Sequence, residues 1–302
     1  MKTALLEKDT NLQTWLYDRF VRLIIYPSVW VSAAIASLGI FAQILMGLEF
    51  NWKPIALIFA TGLIPYNLDR IFDSYVQEIP EAEAQSFFRQ PYIFLLLIAA
   101  IIATAVLLYD APLIVRYVSC AGIVPLLYGT PLFPWRRNSQ IRWYRLKDIP
   151  GSKAWIVGGT LTYAAVALPL AYAGRQFDTM AALTTLFTFV FIVSNSHTFD
   201  LRDIESDRHK GVTTLPLIVG VRGTRIVLTT LNVVMLLVMF AAWRTNTFNY
   251  YPEIVLSTEI TIGYIWIVKP EMSRALYNIW IDGVLFVPIL FHWGLEAVST
   301  LV

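Results

Sequence analysis

Charge is scarce in this chain. Asp, Glu, Lys and Arg make up 15% of its 302 residues, against about 25% in ordinary soluble domains. Hydrophobic residues supply 57%. That balance excludes an ordinary water-soluble domain. Cysteine is scarcer still: Cys120 stands alone, which excludes an intramolecular disulfide, and a thiol within an apolar band is expected to be buried and inert. The chain has no Ser/Gly-rich linker, no low-complexity tract and no long polar loop, so residues 1–302 read as a single transmembrane helical domain. The opening MKTALLEKDTNLQ is polar and the first apolar run exceeds a signal-peptide core, so no cleavable signal is expected.

Apolar bands recur along the whole length. A membrane span needs about 20 such residues, and nine segments qualify as candidates: 23–48, 54–72, 91–109, 112–133, 154–174, 179–200, 226–243, 254–268 and 276–294. The second is free of charge only from Pro54 to Leu68, so its last turn carries acid. The eighth is short and includes Glu259. The ninth contains Asp282, which should face protein or water rather than acyl chains. The expected fold is all-α: a polytopic membrane protein with nine transmembrane helices in one bundle. If the spans alternate from a cytoplasmic N-terminus, only Lys53, Arg116, Arg175 and Arg244 of the 23 basic residues fall outside the inner segments. The positive-inside rule therefore favours that orientation.

Two of the bands end in acid on the same expected side. The second runs into YNLDRIFDSYV, with Asp69 and Asp73 four residues apart; the sixth runs into DLRDIESDRHKGVTTLPL, with Asp200, Asp203 and Asp207. On continuous helices these spacings put each set on one face. Like charges so placed repel, and carboxylates at a helix C-terminus oppose its dipole. A positive partner is therefore expected, and a hard divalent cation such as Mg²⁺ takes carboxylate and phosphate oxygens together. The alternative is a solvated loop in which the aspartates pair with Arg70, Arg202 and Arg208.

DLRDIESDRHKGVTTLPLIVG resembles the second signature of the UbiA superfamily of intramembrane prenyltransferases: Asp-x-x-Asp-x-x-x-Asp, then Gly-x-x-Thr-Leu-Pro and an apolar helix start. YNLDRIFDSYV resembles the first signature, which usually reads Asn-Asp-x-x-Asp-x-x-x-Asp. Aligned on DRIFD, Pro65 and Tyr66 stand where that signature has Asn-Asp, and Asn67 lies two residues out of register. Phe199 stands where Asn is common in the second.

The resemblance implies Mg²⁺-assisted transfer of a prenyl group from a polyprenyl diphosphate to a hydrophobic, often aromatic acceptor, with membrane lipid around the site and no nucleic acid. Asp69 and Asp73 would hold one metal ion, and Asp200, Asp203 and Asp207 the other. Basic residues should complete the diphosphate site. In WRRNSQIRWYRLKDIPGSKAW the candidates are Tyr144, Arg145, Lys147 and Lys153, with Pro-Gly fixing a turn that would aim a lysine inward. Arg22, Asn67 and Arg70 are further substrate-binding candidates. The plainer reading of that basic run is topology marking or contact with anionic lipid. His197, one turn before Asp200, is expected to bond within the polar patch Ser194–Ser196 or to help deprotonate an acceptor. The alternative function is a UbiA-like protein that has lost catalysis and serves as a binding or assembly partner in a membrane complex.

Overall fold

Proline and glycine decide where the apolar bands bend. The computed structural model describes residues 14–76, 82–128, 133–137, 140–144, 146, 149–272 and 277–300. The first band is two helices, α1 (Thr14–Ile25) and α2 (Val29–Leu45), meeting at 63°. Pro27 lies in the joint and lacks the N–H needed to continue a helix, and Ser28 is left-handed at φ 59°. The second band is α3 (Trp52–Val76), with Pro65 inside it. After α4 (Ala82–Phe88) comes α5 (Pro91–Tyr109), started by its N-terminal proline.

The expected fourth span, 112–133, is not one rod. It consists of α6 (Leu113–Ser119), a tight turn at Cys120–Gly122 and α7 (Ile123–Tyr128). Gly122 and Pro125 both weaken a continuing helix there. Cys120 accordingly is exposed at the break rather than buried, with Sγ 3.4 Å from the Arg116 carbonyl. An antiparallel hairpin follows, β1 (Phe133–Arg137) against β2 (Gln140–Tyr144), with Trp135 opposite Arg142. It is the one β element among the described residues.

The remaining bands are α8 (Lys153–Tyr172), α9 (Thr179–Arg202), the short α10 (Ile204–Lys210), α11 (Leu215–Arg244), α12 (Tyr251–Ile267) and α13 (Tyr277–Ser299). Each of the nine expected segments contains helix among the described residues. By length and composition, however, five helices among the described residues can cross a membrane, or six if α1 and α2 count as one. The count of nine is not confirmed by that measure, because α3 ends in charge, α6–α7 is broken and α12 has only 17 residues.

The core sits between α2, α8 and α9. Phe187 and Phe191 of α9 stack at 5.3 Å, and Phe41 of α2 meets Phe187 edge-on at 5.9 Å. α8 and α9 approach so closely that a Cβ on Gly158 would lie 2.4 Å from Val193 Cγ2 and 3.4 Å from Val193 Cα. This contact brings the start of α8 beside the end of α9. At the far end of the bundle, His292 of α13 faces α12, with Nδ1 3.1 Å from Glu253 Oε1.

Candidate active site at the acidic end of the bundle

The break between α9 and α10 rearranges the second acidic motif. Asp203 is at once the last cap of α9 and the first of α10, with φ −92° and ψ 10°. A continuous helix would stack Asp200, Asp203 and Asp207 on one face; here Asp203 pairs with Arg202 while staying within electrostatic reach of Lys153 and Asp207. Asp200 and Asp207 are buried and converge on Lys153 at the start of α8.

Each carboxylate oxygen of the motif meets a donor from the chain itself. The Lys153 ammonium lies 3.2 Å from Asp200 Oδ1 and 3.1 and 3.4 Å from the two oxygens of Asp207. Asp200 Oδ2 is 3.2 Å from His197 Nδ1. Arg202 donates from Nε to Asp203 Oδ1 at 2.8 Å and from Nη2 to Oδ2 at 2.9 Å, the fork geometry guanidinium is suited to. Burial pushes the Asp207 carboxyl above its usual range, and the neighbouring Lys153 works against that.

Arg202 is held from the other side by rings. Its guanidinium lies 5.0 Å from the Phe199 ring and 5.5 Å from Tyr277, and Nη1 donates to Asn278 at 3.3 Å. Phe199, which stands where Asn is common in the signature, is thus the cushion beneath an arginine. Arg202 also interacts electrostatically with Arg70 of α3 and with Asp282 of α13, and Arg70 with Asp69, Tyr66 and Asp282. Asp282 is buried and makes no hydrogen bond among the described residues. The lone acid of the ninth band therefore faces two arginines, one beside each motif.

The other expected site residues are distributed unevenly. Asp69 is exposed on the last part of α3, and Asp73 follows on the same helix four residues later. Asn67 is buried one turn away and donates its amide to Pro27 O at 2.9 Å and Leu63 O at 2.8 Å, tying α3 to the α1–α2 joint. Arg22 is exposed on α1, on the Tyr92 side. Tyr144 lies in β2 opposite Phe133. Arg145 and Lys147 lie outside the described residues. His197, Arg202 and Asp282 complete the cluster; the signals for them were a histidine one turn from Asp200, an arginine abutting Asp203 and an acid alone in an apolar band.

An apolar cavity of about 690 Å³ lies between α3, α5, α6, α7 and α8, within the roughly 300–1,000 Å³ of small-molecule sites. Pro65 and Tyr66, which replace the Asn-Asp pair of the first signature, form part of its wall, with Thr61, Leu108, Tyr163 and Leu168. The cavity thus reaches Tyr66, which interacts with Arg70 and Asp282.

The chain matches the profile of the UbiA prenyltransferase family over residues 88–286. It belongs to the UbiA prenyltransferase family. The UbiA match begins after α3, so the first acidic motif lies outside it. No curated protein matches in sequence. Several solved structures share the fold. A UbiA homolog from Aeropyrum pernix K1 is 12% identical, with 88% of this chain and 98% of that one covered and a TM-score of 0.61. A UbiA homolog from Archaeoglobus fulgidus bound to GPP and Mg²⁺ is 14% identical, with 92% and 98% covered and a TM-score of 0.57. A digeranylgeranylglyceryl phosphate synthase is 15% identical, with 90% and 93% covered and a TM-score of 0.55. With its apolar helices, this UbiA chain is an integral, multi-pass membrane protein.

The two motifs differ in what their carboxylates already hold. In the first motif Asp69 is exposed near the end of α3 and Asp73 follows at helical spacing in the sequence; carboxylate oxygens are the donors Mg²⁺ takes together with phosphate oxygens. In the second motif the converging carboxylates already hold an ammonium, and among the described residues no three His, Cys, Asp or Glu side chains form a metal shell.

Proposed function

We propose that this chain transfers a prenyl group from an isoprenoid diphosphate to a small, aromatic or otherwise hydrophobic acceptor inside the membrane, with the acidic end of the bundle on the cytoplasmic side. One observation carries the reading: the apolar cavity reaches Tyr66, which stands within electrostatic reach of Arg70 and Asp282, and these in turn of Arg202, between the two acidic motifs. A prenyl diphosphate has the matching polarity, an apolar tail and a multiply charged head.

Arg70, Arg202 and Lys153 supply positive charge to the head group, and Asp282 orients the two guanidiniums. Asp69 and Asp73 would hold a Mg²⁺ ion, which would supply positive charge to offset that of the departing diphosphate. The C–O bond to the prenyl carbon breaks with its electron pair going to diphosphate. The acceptor's nucleophilic atom bonds to that carbon, and the proton it loses passes to the released diphosphate. The apolar wall would limit water's access to the cation-like prenyl fragment, and Tyr66 and Tyr163 are among the residues that line it.

The test is incubation of membranes containing the protein with labelled prenyl diphosphates and a panel of acceptors. Transfer should occur with wild type and fall by about 10²–10³ in Asp203→Ala, the scale of removing one preorganised electrostatic group. A second reading, an assembly partner without catalysis, draws on Pro65 and Tyr66 in place of Asn-Asp. It predicts no transfer and no binding of a prenyl diphosphate by the purified protein.

A further inference from the structure

The second motif is loaded with a cation before any ligand arrives. Two buried carboxylates, 200 and 207, point at one position, and that position holds the Lys153 ammonium at 3.1–3.4 Å from three of their oxygens. His197 takes the fourth oxygen, and Arg202 both oxygens of Asp203. A divalent ion entering here must break the lysine pairs first, because carboxylate oxygens are the ligands it needs.

The lysine is also built into place by its backbone. Gly151 adopts φ +73°, a left-handed conformation glycine tolerates without strain, and donates its N–H to the Thr213 carbonyl at 2.6 Å. That bond stitches the turn before α8 to the segment following α10. Ser152 Oγ closes the same turn by donating to the Ile149 carbonyl at 2.9 Å. Lys153, the next residue, opens α8 directly beside the two aspartates. Its anchored starting point and flexible four-carbon stem suit a point charge that must sit in a carboxylate pair and still reach a phosphate.

We infer that Lys153 is a resident cation that takes the place of a divalent ion between Asp200 and Asp207, so that the second motif meets a diphosphate through a lysine rather than through a metal ion of its own. The inference rests on reading this end of the bundle as the diphosphate site. It predicts that removing the ammonium converts the carboxylate pair into a metal site.

Mn²⁺ binding to the purified protein, read by electron paramagnetic resonance without any diphosphate, tests it. Lys153→Met should gain one Mn²⁺ site, tighter than any Asp200-dependent site in wild type by about 10–100-fold, the scale on which groups around a metal alter its affinity. The gain should vanish in Lys153→Met/Asp200→Asn and be absent in Lys153→Arg, which keeps the charge. Should Lys153→Met fail to fold, Lys153→Gln carries the same test. A folded Lys153→Met or Lys153→Gln without the new site overturns the inference. So does a wild-type site of equal affinity that Asp200→Asn abolishes. Failure of wild type to bind geranyl diphosphate would instead remove the functional reading, while the Mn²⁺ titration still decides the role of Lys153.

Discussion

Asp200→Ala is expected to destabilise the protein by about 3–5 kcal/mol, the scale of breaking a buried ion pair by removing one partner, and to abolish prenyl transfer. Asp200 is 2% exposed and bonds Lys153 with one oxygen and His197 with the other. Truncation leaves an ammonium facing Asp207 alone and an imidazole whose Nδ1 has lost its acceptor. His197 is fully buried, and its Nε2 has no hydrogen-bond partner. Its position therefore depends on Asp200 and on the Trp155 ring, which it meets edge-on at 5.1 Å. Asp200→Asn should fold better than Asp200→Ala, because the amide oxygen still accepts from His197 or Lys153, yet it should remain inactive. Thermal unfolding in detergent, beside the transfer assay, checks both statements. Near-wild-type stability of Asp200→Ala would mean that the Lys153 and His197 contacts contribute little.

Gly158→Leu should have an effect of similar size without touching the cluster. The added side chain would begin 2.4 Å from Val193 Cγ2 and would press on the α9 backbone, 3.4 Å from its own Cβ. Overpacking of a close contact costs about 1–3 kcal/mol or more, and the relief available is to separate α8 from α9. Lys153 rides on α8 and Asp200 on α9, so separation opens the pairs at their end. Gly158→Leu should therefore lose binding of a prenyl diphosphate as well as stability. Gly158→Leu with Val193→Ala, which clears the colliding methyls, should recover part of both. Equal binding by Gly158→Leu and wild type would show that the α8–α9 spacing does not set the site.

The two acidic motifs were legible because helical spacing of like charges is costly without a partner, and the apolar bands because lipid demands them. The partner itself was not legible at the second motif. Spacing alone put Asp200, Asp203 and Asp207 on one face and suggested a metal ion; the break at Asp203 divides them between Lys153 and Arg202. A one-residue interruption between two helices leaves little trace in a sequence that is polar on both sides. The Pro-Gly turn left Lys147 and Lys153 open as the inward lysine; Lys153 lies against Asp200 and Asp207, and Lys147 is outside the described residues. Asp282 was recognisable as an acid that must avoid lipid, but which arginines it faces depends on how α3, α9 and α13 pack. The broken α6–α7 and the bent α1–α2 also escaped, since an apolar band reads the same whether its helix is straight or interrupted. Asn67 shows the converse: a polar residue close to a motif in sequence is turned by the helix toward the Pro27 carbonyl.

The central claim is that the acidic end of this bundle receives the head of a prenyl diphosphate while the cavity beside Tyr66 receives its tail. Equilibrium binding of labelled geranyl diphosphate to the purified protein with Mg²⁺ present tests it most directly. Saturable binding that is competed by inorganic pyrophosphate and lost in Asp203→Ala is the predicted result. No saturable binding by a folded wild-type protein, or binding indifferent to pyrophosphate and to Asp203, would contradict it.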